Sequence, residues 1–258
     1  MRLAIAGAGG KMGRALVEAT LADGSLELAA ALDAAGSAAL GTQIGGLTVG
    51  SDIRAAVSVA DVLIDFTRPE GTLAHLDACA AAGKAMVIGT TGFSAAQLSR
   101  IKDASTRIAI VLSPNFAVGV NVVFRLAETA AAALGDAYDV EIIEAHHRQK
   151  VDAPSGTALM LGNLVAGALG RSLDQVAAHG RAGDVGARPA KEIGFHSIRG
   201  GDIVGEHTVV FAGTGERVEI AVRSQSRATY ATGALRAAKF LQGRRNGLYD
   251  MKDVLGLS

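Results

Sequence analysis

The chain has 258 residues, of which 49% are hydrophobic, so it can bury one large core or two smaller ones. Lysine plus arginine and aspartate plus glutamate each number 25, which gives a formal net charge of zero. This balance excludes a field basic enough to attract nucleic acid or a membrane surface. We therefore expect no nucleic-acid or membrane partner, and a small anionic ligand must be held by local charge.

The single cysteine, Cys79, excludes an intrachain disulfide and suits a reducing compartment. It lies in an alanine- and leucine-rich helical pattern, which predicts a small buried side chain rather than a nucleophile. The first residues enter a strand-like run without a charged leader, and glycine or charge breaks the longest apolar runs before they reach the length of a membrane span. These features predict a cytoplasmic location.

A strand, a glycine-rich turn and a helix open the chain. Residues 2–6 predict a short buried strand, and residues 7–13 read Gly-Ala-Gly-Gly-Lys-Met-Gly. A stripe of helical spacing follows, formed by Met12, Ala15, Leu16 and Ala19. In this arrangement glycines let the backbone approach a pyrophosphate and the helix N-terminus favours its charge. Met12 stands where the common G-x-G-x-x-G pattern has its third glycine, so the motif alone is weak evidence.

An acidic residue ends the next predicted strand, residues 26–32. Asp33 lies about twenty residues after the glycine turn, the spacing at which a carboxylate meets the adenosine ribose of a dinucleotide. An aspartate that only caps a loop is the alternative. Ala34 follows, so a 2′-phosphate finds no cation there, although Lys11 in the turn can supply one.

The alternation of strands and helices continues to residue 116. Strands are predicted over 61–66, 84–88 and 108–112, a helix over 72–82, and Ser94 with Gln97 resembles a capping box that opens another helix. Small polar residues follow each of these strands, at 67–71, 89–93 and 113–116. Because ligands bind at the carboxyl ends of the strands in open α/β sheets, this pattern predicts a parallel sheet with a binding edge.

The character of the chain changes after residue 116. A helix is predicted over 120–134, then an alternating strand over 138–145, a helix after Ser155 that Gly170 stops, and a long irregular segment over 171–191. Three strands follow, at 193–198, 203–212 and 217–222, and both connectors suit hairpins. A helix over 230–241 presents a face of small residues, and the short segment 250–257 completes the first domain.

The segment 144–157 concentrates the chemistry of the chain. The strand delivers His146 and His147 at its end, and Lys150 follows within five positions. Histidine exchanges protons near neutral pH, and lysine can deliver one when its pKa is lowered. The run Ser-Gly-Thr at 155–157 stands at a helix start, where free N–H groups can hold an anion. The alternative is a solvated cationic loop, since such runs often do nothing.

These landmarks together resemble one family, the 4-hydroxy-tetrahydrodipicolinate reductases, formerly called dihydrodipicolinate reductases. The matching stretches occur in the family's order, at residues 7–13, 64–67, 87–93, 115–121, 144–157 and 201–208. The run Glu-Ala-His-His-Arg-x-Lys-x-Asp-Ala-Pro-Ser-Gly-Thr is highly specific. The resemblance implies reduction of 4-hydroxy-2,3,4,5-tetrahydrodipicolinate, a cyclic dicarboxylate imine, by NADH or NADPH in lysine and diaminopimelate biosynthesis.

The resemblance also implies roles for particular residues. His146 matches the family's proton donor and acceptor, and Lys150 matches a proton donor. Independently of the resemblance, no metal is expected, because His146 and His147 would point to opposite faces of a strand and Cys79 has no obvious partner. Substrate-holding positions match His147, Gly156 and Thr157. Cofactor-binding positions match Gly7, Ala8, Gly9, Gly10, Lys11, Met12, Asp33, Gly89, Thr90, Thr91, Ser113, Pro114, Asn115 and Phe116.

The fold implied is α/β, with a Rossmann-type doubly wound parallel sheet followed by an α+β domain whose sheet is mainly antiparallel. Residues 1–117, completed by 228–258, form the dinucleotide-binding domain, and residues 118–227 form the substrate-binding and oligomerisation domain of a homotetramer.

One departure and two alternatives remain open. Many relatives carry a basic residue after the ribose acid, where this chain has Ala34, so we expect NADH to be used at least as well as NADPH. The glycine-rich domain alone would also allow another two-domain NAD(P) dehydrogenase acting on an aldehyde or a sugar. A non-catalytic dinucleotide sensor is the third interpretation, but it would not need His146 and Lys150 beside an anion site.

Overall fold

A computed structural model describes residues 1–257 of the chain. The chain divides into two compact units. Unit 1 combines residues 1–118 with the chain from Arg227 onward, and unit 2 is the continuous segment Gly119–Ser226. In sequence, unit 2 is therefore inserted between the two parts of unit 1.

Strands and helices alternate in the first part of unit 1. The strands are β1 (Arg2–Ala6), β2 (Glu27–Leu32), β3 (Gln43–Ile44), β4 (Leu47–Thr48), β5 (Val62–Asp65), β6 (Ala85–Ile88) and β7 (Ala109–Leu112). The helices are α1 (Lys11–Ala22), α2 (Ile53–Val59), α3 (Pro69–Ala82) and α4 (Ala95–Ala104). Helix α4 begins with the predicted capping box, in which Ser94 and Gln97 bond each other's backbone N–H groups.

Helix α5 (Val118–Leu134) begins at the end of that first part, and the remaining elements follow it. Those of unit 2 are β8 (Asp139–His146), α6 (Gly156–Ala168), α7 (Leu173–Val176), β9 (Ala177–His179), β10 (Ile193–Arg199), β11 (Gly205–Ala212) and β12 (Arg217–Ser224). The second part of unit 1 contributes α8 (Ala228–Leu241), β13 (Gly247–Tyr249) and α9 (Met251–Leu255).

The six-stranded sheet of unit 1 is entirely parallel, in the order β13-β7-β6-β5-β1-β2, and β3 and β4 form a separate antiparallel pair. Alternate residues of its strands enter two different core clusters: Leu3 and Ile5 belong to one, which includes α1 and α8, and Leu63 and Met86 to the other, which includes α3 and α4. A parallel sheet buried on both faces is the doubly wound arrangement, as predicted. Its strand order changes direction at β1, between β2 and β5.

Several features of unit 1 differ from the sequence-based expectation, and the short pair β3–β4 is one that was not predicted. The buried stripe of α1 is Gly13, Leu16, Val17 and Thr20, one position on from the predicted stripe. The sixth strand, β13, was not predicted, because three residues are too few to show a period. Helix α2, capped by the Asp52 side chain, was also missed.

The sheet of unit 2 is mixed, in the order β12-β11-β8-β10-β9. The pairs β12–β11 and β11–β8 are antiparallel, whereas β8–β10 and β10–β9 are parallel. The predicted hairpin at residues 213–216 is confirmed. The hairpin predicted at 199–202 is wrong, because β8 lies between β10 and β11. The segment 171–191 is also less irregular than predicted, since it contains α7 and β9.

Helix α5 needs comment because Val118–Ala137 is long and apolar enough to cross a membrane, with a mean hydropathy of 1.3. No segment of that length was predicted from the sequence, because glycine or charge interrupts the longest apolar runs. The helix is amphipathic: Val120, Val123 and Phe124 are buried, whereas Arg125 and Glu128 pair on its other side, 3.3 Å apart. This distribution is that of a helix that packs one face against a protein core.

Candidate active site

The glycine turn between β1 and α1 is too closely packed for larger residues. Gly7 has φ +70°, in the left-handed region, and a Cβ on Gly13 would lie 2.0 Å from the Gly7 carbonyl oxygen. A Cβ on Gly9 would lie 2.4 Å from that of Ala39. These glycines therefore let β1, the turn and α1 approach one another, as the predicted motif requires.

Asp33 is tied to this turn. One oxygen of its carboxylate accepts the Gly9 N–H at 2.9 Å and the other accepts the Ala34 N–H at 2.8 Å. Since a carboxylate has about four acceptor sites, both oxygens retain capacity for ligand hydroxyls. Asp33 and Gly10 line a cavity of about 690 Å³ at the carboxyl ends of β1, β2 and β5, and Arg68 and His75 line it too. The cavity lies where doubly wound sheets bind nucleotides.

A buried polar network lies beside that cavity. Asp65, fully buried at the end of β5, accepts hydrogen bonds from the Thr67 N–H at 2.9 Å and from the Thr67 hydroxyl at 2.6 Å. The Thr90 hydroxyl donates to the same Asp65 oxygen at 3.2 Å, and the other oxygen lies 2.6 Å from His75 Nδ1. Thr72 donates to Thr90 at 2.8 Å. The network fixes the ends of β5 and β6 relative to each other.

The other predicted cofactor residues follow β6 and β7. Gly89 has no room for a side chain, because a Cβ there would lie 2.2 Å from the Phe66 ring. Phe66 also packs against Phe116, with ring centroids 5.4 Å apart. Ser113 donates to the Asn115 carbonyl at 2.8 Å, which closes the turn after β7. Residues 89–91 and 113–116 thus sit at the same edge of the sheet as the cavity, but they are not part of its lining.

In unit 2, His146 ends β8 and is held by a buried carboxylate. His146 Nδ1 lies 2.6 Å from Glu144 Oε2, and the Glu144 side chain is only 1% exposed. Arg199, at the end of β10, donates hydrogen bonds from both terminal nitrogens to the two Glu144 oxygens, at 2.8 and 2.7 Å. The parallel pairing of β8 with β10 produces this contact, since Arg199 stands opposite His146.

The protonation of this cluster follows from its partners. Burial works to raise the pKa of Glu144, but hydrogen bonds from Arg199, Ser197 and His146 outweigh it and hold the pKa at about 2. Burial lowers the pKa of His146 below its usual value, while Glu144 acts in the opposite direction. At neutral pH Glu144 is therefore ionised and His146 is largely uncharged.

The start of α6 joins the same cluster. Ser155 caps the helix by accepting the Ala158 N–H at 3.2 Å, and its own N–H donates to Glu144 at 3.2 Å. The Ser155 hydroxyl lies 2.9 Å from His207 Nε2, and the His207 ring meets the His146 ring edge-on at 5.2 Å. Burial, followed by the proximity of His146, lowers the pKa of His207 to about 4. Gly156 and Thr157 form the first turn of the helix.

Lys150 and His147 occupy the turn after β8. Lys150 Nζ lies 2.8 Å from the Asp152 carboxylate, and its side chain is 20% exposed. The Lys150 N–H closes the turn by donating to the His147 carbonyl at 3.1 Å. His147 Nδ1 is buried and has no hydrogen-bond partner among residues 1–257. A bound polar group would satisfy it.

Several residues of these sites were missed by sequence reasoning. They are Thr67, Arg68 and His75 in unit 1 and Glu144, Arg199 and His207 in unit 2. Asp65 and Glu144 lie in stretches that carry the family resemblance, yet no role was assigned to them. A buried carboxylate at an even position of an alternating strand was the available signal for Glu144, because such a group needs a partner.

The doubly wound sheet with its glycine turn is the fold of dinucleotide-binding domains, and a histidine–carboxylate pair beside a lysine can transfer protons. Together these features are typical of nicotinamide-dependent oxidoreductases. Comparison with known proteins narrows the class. Residues 1–116 match the model of the dihydrodipicolinate reductase N-terminus, and residues 119–255 match that of its C-terminus. The chain belongs to the dihydrodipicolinate reductase family.

Individual relatives are similar to this chain over nearly their full length. The chain is 58% identical to the 4-hydroxy-tetrahydrodipicolinate reductase of Aromatoleum aromaticum, over 100% of this chain and 96% of the relative. It is 56% identical to that of Cupriavidus metallidurans, over 100% of both. A dipicolinate-bound dihydrodipicolinate reductase from Paenisporosarcina sp. TG-14 superposes with a TM-score of 0.81 at 28% identity, covering 98% of each chain.

Proposed function

We propose that this chain catalyses the reduction of 4-hydroxy-2,3,4,5-tetrahydrodipicolinate to 2,3,4,5-tetrahydrodipicolinate in lysine and diaminopimelate biosynthesis. One hydride from NADH or NADPH and one proton are consumed, and one water is lost from the hydroxylated ring. The observation that carries the proposal is the full-length identity of 56–58% to reductases of that name. The two chemical sites described above supply what the reaction needs.

The cofactor is assigned to the domain formed by residues 1–117 and 228–258. The nicotinamide supplies the hydride when it is bound. Asp33 accepts hydrogen bonds from the adenosine ribose hydroxyls, and the N–H groups of Lys11 and Met12 hold the pyrophosphate. Those two N–H groups precede the first bond of α1, which runs from the Arg14 N–H to the Gly10 carbonyl. The close-packed glycines support this fit, because a Cβ would block the approach.

The remaining predicted cofactor residues are assigned to contacts along the dinucleotide, with those of the glycine turn at its pyrophosphate. They are Gly7, Ala8, Gly9 and Gly10 in the turn, Gly89, Thr90 and Thr91 after β6, and Ser113, Pro114, Asn115 and Phe116 after β7. Their support is that strands β1, β6 and β7 are parallel members of one sheet, so all three groups lie at its carboxyl edge. Ala8 also ties the glycine turn to the end of β2, since its N–H donates to the Leu32 carbonyl at 2.9 Å.

NADH is expected to work at least as well as NADPH, because Ala34 follows Asp33. Arg68, which lines the same cavity, and Lys11 leave NADPH possible. Substitution Ala34→Arg should lower KM for NADPH roughly tenfold, the effect of about 1.4 kcal/mol from one added charge contact, with KM for NADH little changed. Steady-state kinetics with both cofactors measure this. A wild-type KM for NADH far above that for NADPH would refute the proposal.

His146 and Lys150 are assigned as the proton-transfer groups. Hydride addition leaves negative charge on the substrate ring, and a positioned acid quenches it, an effect worth about 10²–10⁴-fold. His147, Gly156 and Thr157 are assigned to the carboxylates of the substrate. The start of α6 supports this, because helix N-termini favour anions, and so does the unsatisfied His147 Nδ1.

The substrate domain, residues 118–227, is also assigned to oligomerisation, and the protein is expected to be a cytoplasmic homotetramer. The face of the second sheet that carries Ile143, Val210 and Ile198 supports this. All three are incompletely buried in the single chain, and Ile198 is 51% exposed. The same face also carries Glu141 and His196, and a partly exposed face that combines apolar and charged side chains is suited to association with other copies.

The central test measures cofactor oxidation by absorbance, with substrate generated in place from pyruvate and aspartate semialdehyde by a synthase. We expect steady oxidation by the wild type and a kcat lowered by about 10²–10⁴-fold in Lys150→Ala, with cofactor binding intact. Arg148→Ala is the matched control, because it removes an exposed cation from the same turn.

Two outcomes would contradict the proposal. An unchanged kcat in Lys150→Ala would remove the role given to that lysine. No oxidation by the wild type, with cofactor binding confirmed separately, would favour another dehydrogenase or a dinucleotide sensor instead.

A further inference from the structure

The buried carboxylate of Glu144 contacts several hydrogen-bond donors at once. Its carboxylate accepts hydrogen bonds from two Arg199 nitrogens, from the Ser155 N–H and from His146 Nδ1. The side chain is 1% exposed, so each contact is made without competition from water. A buried carboxylate with this many donors is a fixed negative charge in a fixed orientation.

This arrangement selects the tautomer of His146. An ionised carboxylate can only accept hydrogen bonds, so the short contact to Glu144 Oε2 places a proton on His146 Nδ1. The other ring nitrogen, Nε2, is then the atom that takes up or gives a proton. A histidine oriented by a buried carboxylate in this way is the arrangement found in hydrolytic triads.

The charges around His146 act on it in opposite directions. Glu144, on the same strand, favours the imidazolium form. Arg199 on β10 and Lys150 in the following turn disfavour it, and the buried His207 on β11 faces its ring without a charge. Arg199 donates hydrogen bonds to Glu144 but repels the imidazolium form of His146. Glu144 and Arg199 therefore have opposite effects on the pKa of His146.

We propose that Glu144, locked in place by Arg199, is a positioning residue that keeps His146 protonated at Nδ1 and reserves Nε2 for proton exchange with the substrate. In the transfer His146, which is mostly neutral at rest, first takes up a proton from solvent at Nε2. The imidazolium then gives this Nε2 proton to the reduced ring and returns to its neutral form, while Glu144 stays ionised. The proposal rests on the proposed function only for the identity of the proton acceptor.

The first experiment is an NMR pH titration of the ¹⁵N-labelled histidine rings in the full chain, with His146→Gln used to assign the His146 signals. We expect Glu144→Gln to lower the pKa of His146 and to lose the Nδ1-protonated signature. Arg199→Gln should raise that pKa, because it removes a repelling charge and leaves the carboxylate. Glu141→Gln, the matched control on the opposite face of β8, should leave His146 unchanged.

Opposite shifts in the two variants support the proposal, since a general loosening of the site would move both in one direction. Shifts of the same sign, or an unchanged His146 in Glu144→Gln, would overturn it. If Glu144→Gln does not fold, Arg199→Gln decides alone: an upward shift supports the proposal, and no shift or a downward one refutes it.

The second experiment follows kcat against pH with the cyclic imine. We expect kcat of Glu144→Gln to fall about 10²-fold with KM for NADH unchanged, and its alkaline limb to move to lower pH. In Arg199→Gln that limb should move to higher pH. Limbs that stay in place in both variants would contradict the proposal. A wild type that does not turn over the imine would refute the proposed function, while the titration would still decide the role of Glu144.

Discussion

Strand β8 carries a carboxylate–imidazole–arginine cluster on each of its two faces. On one face Glu144 contacts His146 and Arg199. On the other, Glu141 contacts His196 at 2.8 Å and the guanidinium groups of Arg181 and Arg188, each at 2.9 Å at closest. The residue types are the same, and hydrogen bonds hold the pKa of both carboxylates at about 2 although burial works to raise it. Composition alone therefore does not distinguish a functional cluster from a structural one.

Exposure and neighbours separate the two clusters. The side chains of Glu144 and His146 are 1% and 12% exposed, whereas those of Glu141 and His196 are 20% and 38% exposed. The buried cluster also continues into the start of α6 and into His207, next to the turn that holds Lys150. The other cluster ends in Arg181 and Arg188, which come from the loop after β9. Of the two histidines, His146 is therefore the one that is shielded from solvent and oriented by a buried carboxylate.

The largest difference between the clusters should appear in kcat. His146→Gln is expected to lower kcat by about 10²–10⁴-fold, because it removes a proton-transfer group. His196→Gln, the equivalent change on the other face, should leave kcat unchanged within error. Oxidation of NADH measured for both variants at equal protein concentration makes this comparison. Equal losses in the two variants would show that the faces of β8 do not differ in function.

Stability should separate the clusters next. Glu144→Gln is expected to lower the free energy of unfolding by roughly 3–5 kcal/mol, because Arg199 loses its buried partner. Glu141→Gln should cost about 1 kcal/mol, because the Glu141 side chain is 20% exposed in the single chain and water can replace part of its contacts. Urea unfolding at neutral pH measures both values. A larger cost for Glu141→Gln would mean that burial is not what sets the strength of these pairs.

The pH dependence of stability gives the smallest expected effect. Above about pH 5, where Glu141 and Glu144 are largely ionised in the folded and unfolded chain alike, it should belong to the buried face. The folded state lowers the pKa of His207 from 6.5 to about 4. Protonation therefore favours the unfolded chain, so this stability is complete above about pH 6.5 and is lost as pH falls to about 4. The loss amounts to about 3 kcal/mol in all, of which about 2 kcal/mol falls between neutral pH and pH 5.

His207→Asn should remove this loss, because asparagine does not titrate and can still bond Ser155. The experiment compares urea unfolding at neutral pH and at about pH 5 for the wild type and the variant. His196→Asn is the control and should retain the wild-type difference. A pH dependence that persists unchanged in His207→Asn would assign it to another group.

Local patterns in the sequence predicted the elements that depend on nearby residues. The glycine turn, the capping box at Ser94 and the helix that begins after Ser155 all depend on contacts within a few positions, and all are confirmed. The concentration of histidine and lysine predicted the segment that contains His146 and Lys150, and the family resemblance implied the role of each. The parallel sheet of unit 1 followed from the alternation of strands and helices.

The side-chain partners and the strand pairing were mispredicted or missed where residues distant in sequence meet. Glu144 and Arg199 are 55 positions apart, and Ser155 and His207 are 52 apart. Nothing within either segment indicates the partner. The same cause explains the wrong hairpin at 199–202, because the strand that pairs with both β10 and β11 is β8, far earlier in the chain. The charged cluster around Glu141 was missed for this reason too.

The split of unit 1 across the chain has a consequence for synthesis. Its sheet gains the edge strand β13 and its core gains α8 only from residues after Arg227, whereas all of unit 2 is a continuous segment. During translation unit 2 is complete while the ribosome still holds the strand and helix that unit 1 needs. We therefore expect the inserted unit to reach its fold first and residues 1–118 to stay open until the end of the chain emerges.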